Sequence, residues 1–69
     1  MQLTAVLMPA PDGGFIALNP ETGSTTQGTS IEDALENLRE ATSLFLEEFP
    51  LNAAGPSLMT TFEVRARVA

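Results

Sequence analysis

The sequence contains no His, Cys, Lys, Tyr or Trp, and its only basic residues are three Arg. The missing types include most side chains that act as general bases near neutral pH, activated nucleophiles, Schiff-base amines or soft metal ligands. Without Cys no disulfide can form, and without His or Cys a structural zinc site is not expected. We therefore predict a chain that is not an enzyme and that holds no metal or cofactor.

The 69 residues that are present are 43% hydrophobic and carry a net charge of −6. This length predicts a single domain over residues 1–69. A domain of this size buries only about 60% of the surface that its unfolded chain exposes, so its core is marginal. Since disulfides and zinc are excluded, self-association is the expected reinforcement. We predict a homo-oligomer, either a dimer or a larger assembly.

The acidity of the chain, with a pI near 4.1, limits its partners. Direct binding to nucleic acid requires a basic patch and is not expected. The charge favours a basic protein as partner, although it could also serve only to keep an apolar chain soluble. No secretory signal or run of about 20 apolar residues is visible. We therefore expect a cytoplasmic protein of prokaryotic type.

The first part of the chain predicts three strands joined by turns. Residues 2–8 and 15–18 are short apolar segments with large side chains on both faces, and residues 24–27 form a polar segment typical of a sheet edge. Residues 9–14 and 19–23 separate them and are rich in Pro, Gly, Asp and Asn, which favour tight turns. These connections predict an antiparallel meander.

Residues 31–48 predict one amphipathic helix. Its N-terminus fits a capping box, formed either by Ser30 with Asp33 or by Thr29 with Glu32. Pro50 lies beyond its C-terminus and cannot continue a helix. Apolar residues at helical spacing predict a buried stripe. Its members are Ile31, Ala34, Leu35, Leu38, Ala41, Thr42, Phe45 and Phe49.

The opposite face of this helix is acidic. Glu32, Glu36 and Glu40 are spaced four residues apart, and Glu47 extends the row. Like charges at this spacing destabilise an isolated helix by about 0.2–0.5 kcal/mol per pair. A cationic partner would relieve this repulsion, whereas the simpler interpretation is an ordinary solvated helix face.

Residues 58–68 predict a fourth strand. Phe62 and Val64 alternate with Glu63, Arg65 and Arg67. The predicted class is α+β with the order β-β-β-α-β. A right-handed crossover would make the fourth strand parallel to the first and place the helix on one sheet face only. The bare face would then form the oligomer interface. Its candidate residues are Val6, Met8, Phe15, Ile16 and Leu18.

Four segments together resemble the HicB-like antitoxin family. The first three are Gly13-Gly14-Phe15-Ile16-Ala17, Asn19-Pro20-Glu21 followed by Gly23, and Thr26-Gln27-Gly28. The fourth is Ser30-Ile31-Glu32-Asp33-Ala34-Leu35-Glu36-Asn37-Leu38-Arg39-Glu40-Ala41. The likeness covers about residues 1–49. It differs in the turn after the second strand, which is one residue shorter and lacks the Pro-Gly-Cys found in many members.

The resemblance implies a degraded RNase H-like domain from a type II toxin–antitoxin pair. Such a domain would bind and occlude a small basic HicA-like toxin that cleaves mRNA. No C-terminal DNA-binding domain is expected here. The alternative is a solitary oligomeric scaffold or small-molecule-binding domain without a toxin. Candidate toxin contacts are Glu36, Glu40, Glu47, Glu63, Arg65 and Arg67; the last three could instead form cross-strand pairs on a solvated face.

Overall fold

The computed structural model describes residues 1–51 and 55–66. It contains three strands followed by one helix. In chain order these are β1 (Val6–Pro9), β2 (Phe15–Leu18), β3 (Thr25–Gly28) and α1 (Ile31–Glu48). The α+β class, the three antiparallel strands and the single helix are confirmed, and the bounds predicted for β2 and α1 are those observed.

The three strands form one antiparallel sheet in the order β1-β2-β3. Leu7 pairs with Ala17, which in turn pairs with Thr26. Paired residues point to the same face of a sheet, and successive residues alternate between faces. Because Ala17 is completely buried in the core together with Ala34 of α1, this row faces the helix. Helix α1 packs across β2 and β3 on that face.

The start of β2, the end of β3 and the first turn of α1 approach one another closely at two glycines. Gly14 has a φ of +76°, and a Cβ there would lie 2.5 Å from the carbonyl oxygen of Gly28. A Cβ on Gly28 would in turn overlap the backbone nitrogen of Ala34. Backbone contacts this close admit only glycine. These two residues therefore allow the helix to begin directly against the sheet.

Ser30 is the N-cap of helix α1, and its Oγ accepts a hydrogen bond from the amide of Asp33 at 3.1 Å. The Asp33 carboxylate reaches back to accept from the amide of Thr29 at 2.9 Å. Of the two capping pairs compatible with the sequence, the structure thus uses Ser30 and Asp33. The carboxylate contacts the residue before the cap, rather than the amide of the cap itself as in a standard capping box.

The core is small and centred on Ala17, Ala34 and Leu38. The predicted helical stripe is buried only in its middle, since Ile31 and Phe49 are 42% and 60% exposed. The reason is length: α1 spans about 27 Å, whereas four-residue strands span about 13 Å. Because the N-terminal turn packs against β3, it is mainly the C-terminal part of the helix that extends past the sheet.

The predicted fourth strand is absent from the described residues. Residues 58–66, which we call the arm, form neither helix nor strand, and all of them are exposed. The remainder of the prediction, at 67–68, lies outside the described residues. A strand requires a neighbour to receive its backbone hydrogen bonds, and no element of the described chain pairs with the arm. The first strand is also shorter than predicted, since β1 begins at Val6.

Candidate protein-interaction surface

The turn between β2 and β3 is organised by a buried asparagine. Asn19 is fully buried, and its Nδ2 donates to the carbonyl oxygen of Thr4 at 2.7 Å and to Oε1 of Glu21 at 2.6 Å. Its Oδ1 accepts from the amide and the hydroxyl of Thr22, at 2.9 and 2.6 Å. The side chain thus ties the residues before β1 to this turn. The sequence predicted only a turn here; an Asn just before Pro is the one signal of an organising side chain.

Glu21 connects this turn to the start of the arm. Its Oε2 accepts from the amide of Ser57 at 2.6 Å, and its Oε1 accepts from the amide of Thr4 at 2.8 Å. Hydrogen bonds from these two backbone amides, Ser57 first, hold the pKa of the Glu21 carboxyl well below its ordinary value. The Thr4 hydroxyl also donates to Oε2 at 2.7 Å. We call the sheet and helix, residues 1–51, the body. An ionised Glu21 therefore fixes the point from which the arm leaves the body.

The acidic row predicted on α1 is solvent-exposed. Glu36, Glu40 and Glu47 are all exposed, and at about 100° per residue they lie within about 40° of one another around the helix axis. We call these three residues the acidic stripe. Glu36 is paired with Arg39 at 2.6 Å. An exposed pair of this kind leaves both groups largely solvated and contributes little to stability.

A groove of about 370 Å³ lies between one flank of α1 and the residues that lead into β1. Leu35, Thr42 and Leu46 line it from the helix, and Leu3 and Ala5 line it from the opposite side. On the helix this flank lies between the core-facing residues and the acidic stripe. The apolar surface of α1 is therefore wider than the sheet covers.

The predicted oligomer interface divides between the two faces of the sheet. Phe15 packs against the core on the helix side. The strand register pairs Val6 with Leu18 and Met8 with Ile16, so these four residues share the opposite face. Met8 is 40% exposed, and the other three are half-buried. Phe15 thus belongs to the intramolecular core, whereas the other four remain candidates for a contact surface.

The polar residues predicted on the fourth strand lie on the arm. Glu63 and Arg65 are exposed there, and Arg67 lies outside the described residues. No hydrogen bond or ion pair joins Glu63 or Arg65 to the acidic stripe within residues 1–51 and 55–66. The structure therefore presents two separate sets of candidate contacts, one on the helix and one on the arm.

The carboxylates in the described part of the chain are dispersed. Among those residues, no three Asp or Glu come together in a group that could hold a metal ion. No helix found there is long and apolar enough to cross a membrane. Comparisons with protein-family models, curated proteins and solved structures find no match for this chain.

Proposed function

We propose that this chain is a non-catalytic protein-binding domain of HicB-like antitoxin type, which neutralises a small basic HicA-like mRNA-cleaving toxin by covering its RNA-binding surface. The observation that carries the proposal is the acidic stripe, an exposed row of carboxylates beside a groove of mixed apolar and polar lining. The resemblance of residues 1–49 to the family supplies the identity of the partner. The proposal would explain why so acidic a chain lacks almost every catalytic side-chain type.

The electrostatics of the stripe favour a cationic protein surface. Carboxylates along about 16 Å of one helix face would occupy the place of successive phosphates on a toxin that binds RNA. The groove beside them would add contact area, since charge contributes more to association rate and specificity than to affinity. The toxin would then be excluded from RNA by direct competition.

We further propose that the arm supplies the fourth strand of a β-β-β-α-β domain, parallel to β1 as in a degraded RNase H-like fold, either within one chain or by exchange between identical chains. The Glu21–Ser57 hydrogen bond supports this direction, because it places the start of the arm beside Thr4, just before β1. A chain that continued from there along β1 would run parallel to it. The alternating apolar and polar residues of the arm support a strand with one covered face.

The alternative is a solitary oligomeric scaffold or small-molecule-binding domain without a toxin. One observation favours it. The groove volume of about 370 Å³ lies at the lower end of the range of about 300–1,000 Å³ that is typical of small-molecule sites. A metabolite bound there would contact leucine side chains together with polar ones such as Arg39 and Ser43, whereas a toxin would also contact the acidic stripe.

Purification of the tagged chain from its native cell tests the proposal. The expected result is a stoichiometric complex with a basic protein encoded by a neighbouring reading frame. RNA cleavage by that protein should cease when the chain is added. Recovery of the chain without any basic protein, together with a bound small molecule, would contradict the proposal and favour the alternative.

The role of the stripe is tested by two variants with the same change in charge. Glu40→Gln with Glu47→Gln removes two charges from the stripe and leaves the Glu36–Arg39 pair intact. Asp12→Asn with Glu48→Gln removes two exposed charges elsewhere. The first should weaken toxin binding about three- to tenfold at low salt, and the second should not. Equal effects of the two variants would show that only net charge matters.

A further inference from the structure

The arm has the alternation of a strand with one buried face, but it is not buried. Leu58, Phe62 and Val64 occupy even positions and are 97%, 82% and 74% exposed. Odd positions carry Thr61, Glu63 and Arg65; the alternation is regular from Phe62 onward, whereas Met59 and Thr60 do not follow it. Alternation of this kind is typical of a strand whose apolar face packs on a core and whose polar face meets water. Within the described residues nothing covers the apolar face.

The surface area of the chain indicates how much contact is missing. The accessible surface is 5690 Å² for 7.3 kDa, whereas about 4,200 Å² is expected for a compact monomer of this mass. The excess of about 1,500 Å² exceeds the roughly 800 Å² that each partner contributes to a standard stable interface. The radius of gyration of 14.4 Å likewise exceeds the value of about 11 Å for a compact chain of this length.

The two edge strands of the sheet, β1 and β3, differ in whether they can accept a further strand. On β3, the carbonyl oxygen of Gln27 accepts from Nδ2 of Asn37 at 2.7 Å, so a helix side chain caps part of this edge. Within residues 1–51 and 55–66, β1 pairs only with β2, and the groove lies beside the residues that lead into β1. A strand added next to β1 would place one of its faces under Leu35 and Leu46. The groove and the edge of β1 thus form one continuous surface that can receive an amphipathic strand.

We propose that the arm of one chain adds as a strand beside β1 of a second copy, with Leu58, Phe62 and Val64 filling the groove of that copy. The exchange is reciprocal, so both grooves and both arms are covered in a two-fold dimer. Ser57, held by Glu21 of its own chain, is the hinge. This proposal does not depend on the existence of a toxin. It also differs from association through the bare sheet face.

We assign the groove to the arm of a second copy because the chain carries both halves of the contact and, among its described residues, does not join them itself. The arm is not among the residues that line the groove, although Ser57, immediately before the arm, is held next to Thr4. Nine extended residues span about 30 Å, which is enough to cross from one body to the edge of another. Exchange of an identical element between protomers is a low-cost route to a dimer.

Native mass spectrometry and sedimentation of the full chain, with two complementary variants, test the exchange. Wild type should be a dimer at about 10 µM. Phe62→Asp damages only the arm and Leu46→Asp damages only the groove. Each variant alone should dissociate at least about 100-fold more readily than wild type. A mixture should form a heterodimer, because one protomer supplies an intact groove and the other an intact arm.

Met59→Asp is the matched control, since Met59 lies on the arm at an odd position and is 63% exposed. It should leave the dimer unchanged. A wild-type monomer at about 100 µM would overturn the proposal. A Phe62→Asp variant that dimerises as tightly as wild type would also overturn it. If Met8→Asp dissociated that dimer, association would be assigned to the bare sheet face. Phe62 is exposed in the single chain, so its substitution leaves the body folded and the outcome interpretable.

Discussion

The body of the chain and its arm both contain regularly spaced apolar residues, but those of the body are buried and those of the arm are exposed. Leu38 of α1 is 4% exposed, and Leu58 of the arm is 97% exposed. Both lie in segments whose apolar residues recur with a clear period, 3.6 in the helix and 2 in the arm. The difference is that the sheet covers the helix, whereas no described residue covers the arm. Periodicity therefore indicates which face a segment can bury, and a partner decides whether that face is buried.

The largest expected effect comes from the same substitution at the two leucines. Leu38→Ala should destabilise the body by about 2–5 kcal/mol, because it removes buried methyl groups from a core with few other members. Leu58→Ala should change the stability of the monomer by less than about 0.5 kcal/mol. Urea unfolding followed by far-UV circular dichroism at low protein concentration gives both values. A large effect of Leu58→Ala under those conditions would show that the arm is packed within its own chain.

A second pair of variants compares two glycines. Gly28→Ala places a methyl group against the backbone of Ala34 and should cost about 2–3 kcal/mol. Gly55→Ala, next to the arm, has no neighbour within 4 Å and should be neutral or slightly stabilising. Thermal unfolding of both variants measures the difference. Near-equal melting temperatures would mean that the first turn of α1 can move away from β3 at little cost.

The body could be predicted from sequence because its signals are local. The helix from Ile31 to Glu48 was fixed by the cap residue Ser30, the 3.6-residue period and Pro50. The strand at Phe15–Leu18 was fixed by turn residues on both sides. The fourth strand depended on a long-range pairing that alternation does not encode. Of the candidate surface, exposure of the acidic stripe was predictable, whereas the groove and the position of Phe15 depend on how far the short sheet extends beneath the helix.

A third comparison concerns two asparagines, Asn19 and Asn37. Sequence analysis did not predict that the buried side chain of Asn19 organises the turn between β2 and β3. Asn19→Ala should cost about 2 kcal/mol, because it removes four hydrogen bonds and leaves backbone groups of Thr4 and Thr22 without these partners. Asn37→Ala is the control and removes one exposed bond to Gln27, so it should cost less than about 1 kcal/mol. Chemical unfolding measures both. A larger loss for Asn37→Ala would assign the main polar anchor to the β3 edge.

The smallest expected effect lies at the junction of body and arm and depends on pH. Because the folded pKa of Glu21 lies below the ordinary value of 4.5, its ionised form stabilises the fold above pH 4.5. That contribution is lost as the pH falls towards the depressed folded pKa, since the unfolded chain takes up its proton first. Glu21→Gln should therefore lower the urea midpoint at pH 7, and the difference from wild type should shrink towards pH 3. Glu63→Gln, an exposed change on the arm, should leave the midpoint at pH 7 unchanged. A Glu21→Gln deficit that stayed constant from pH 7 to pH 3 would mean that the anchor acts through the shape of its side chain and not through its charge.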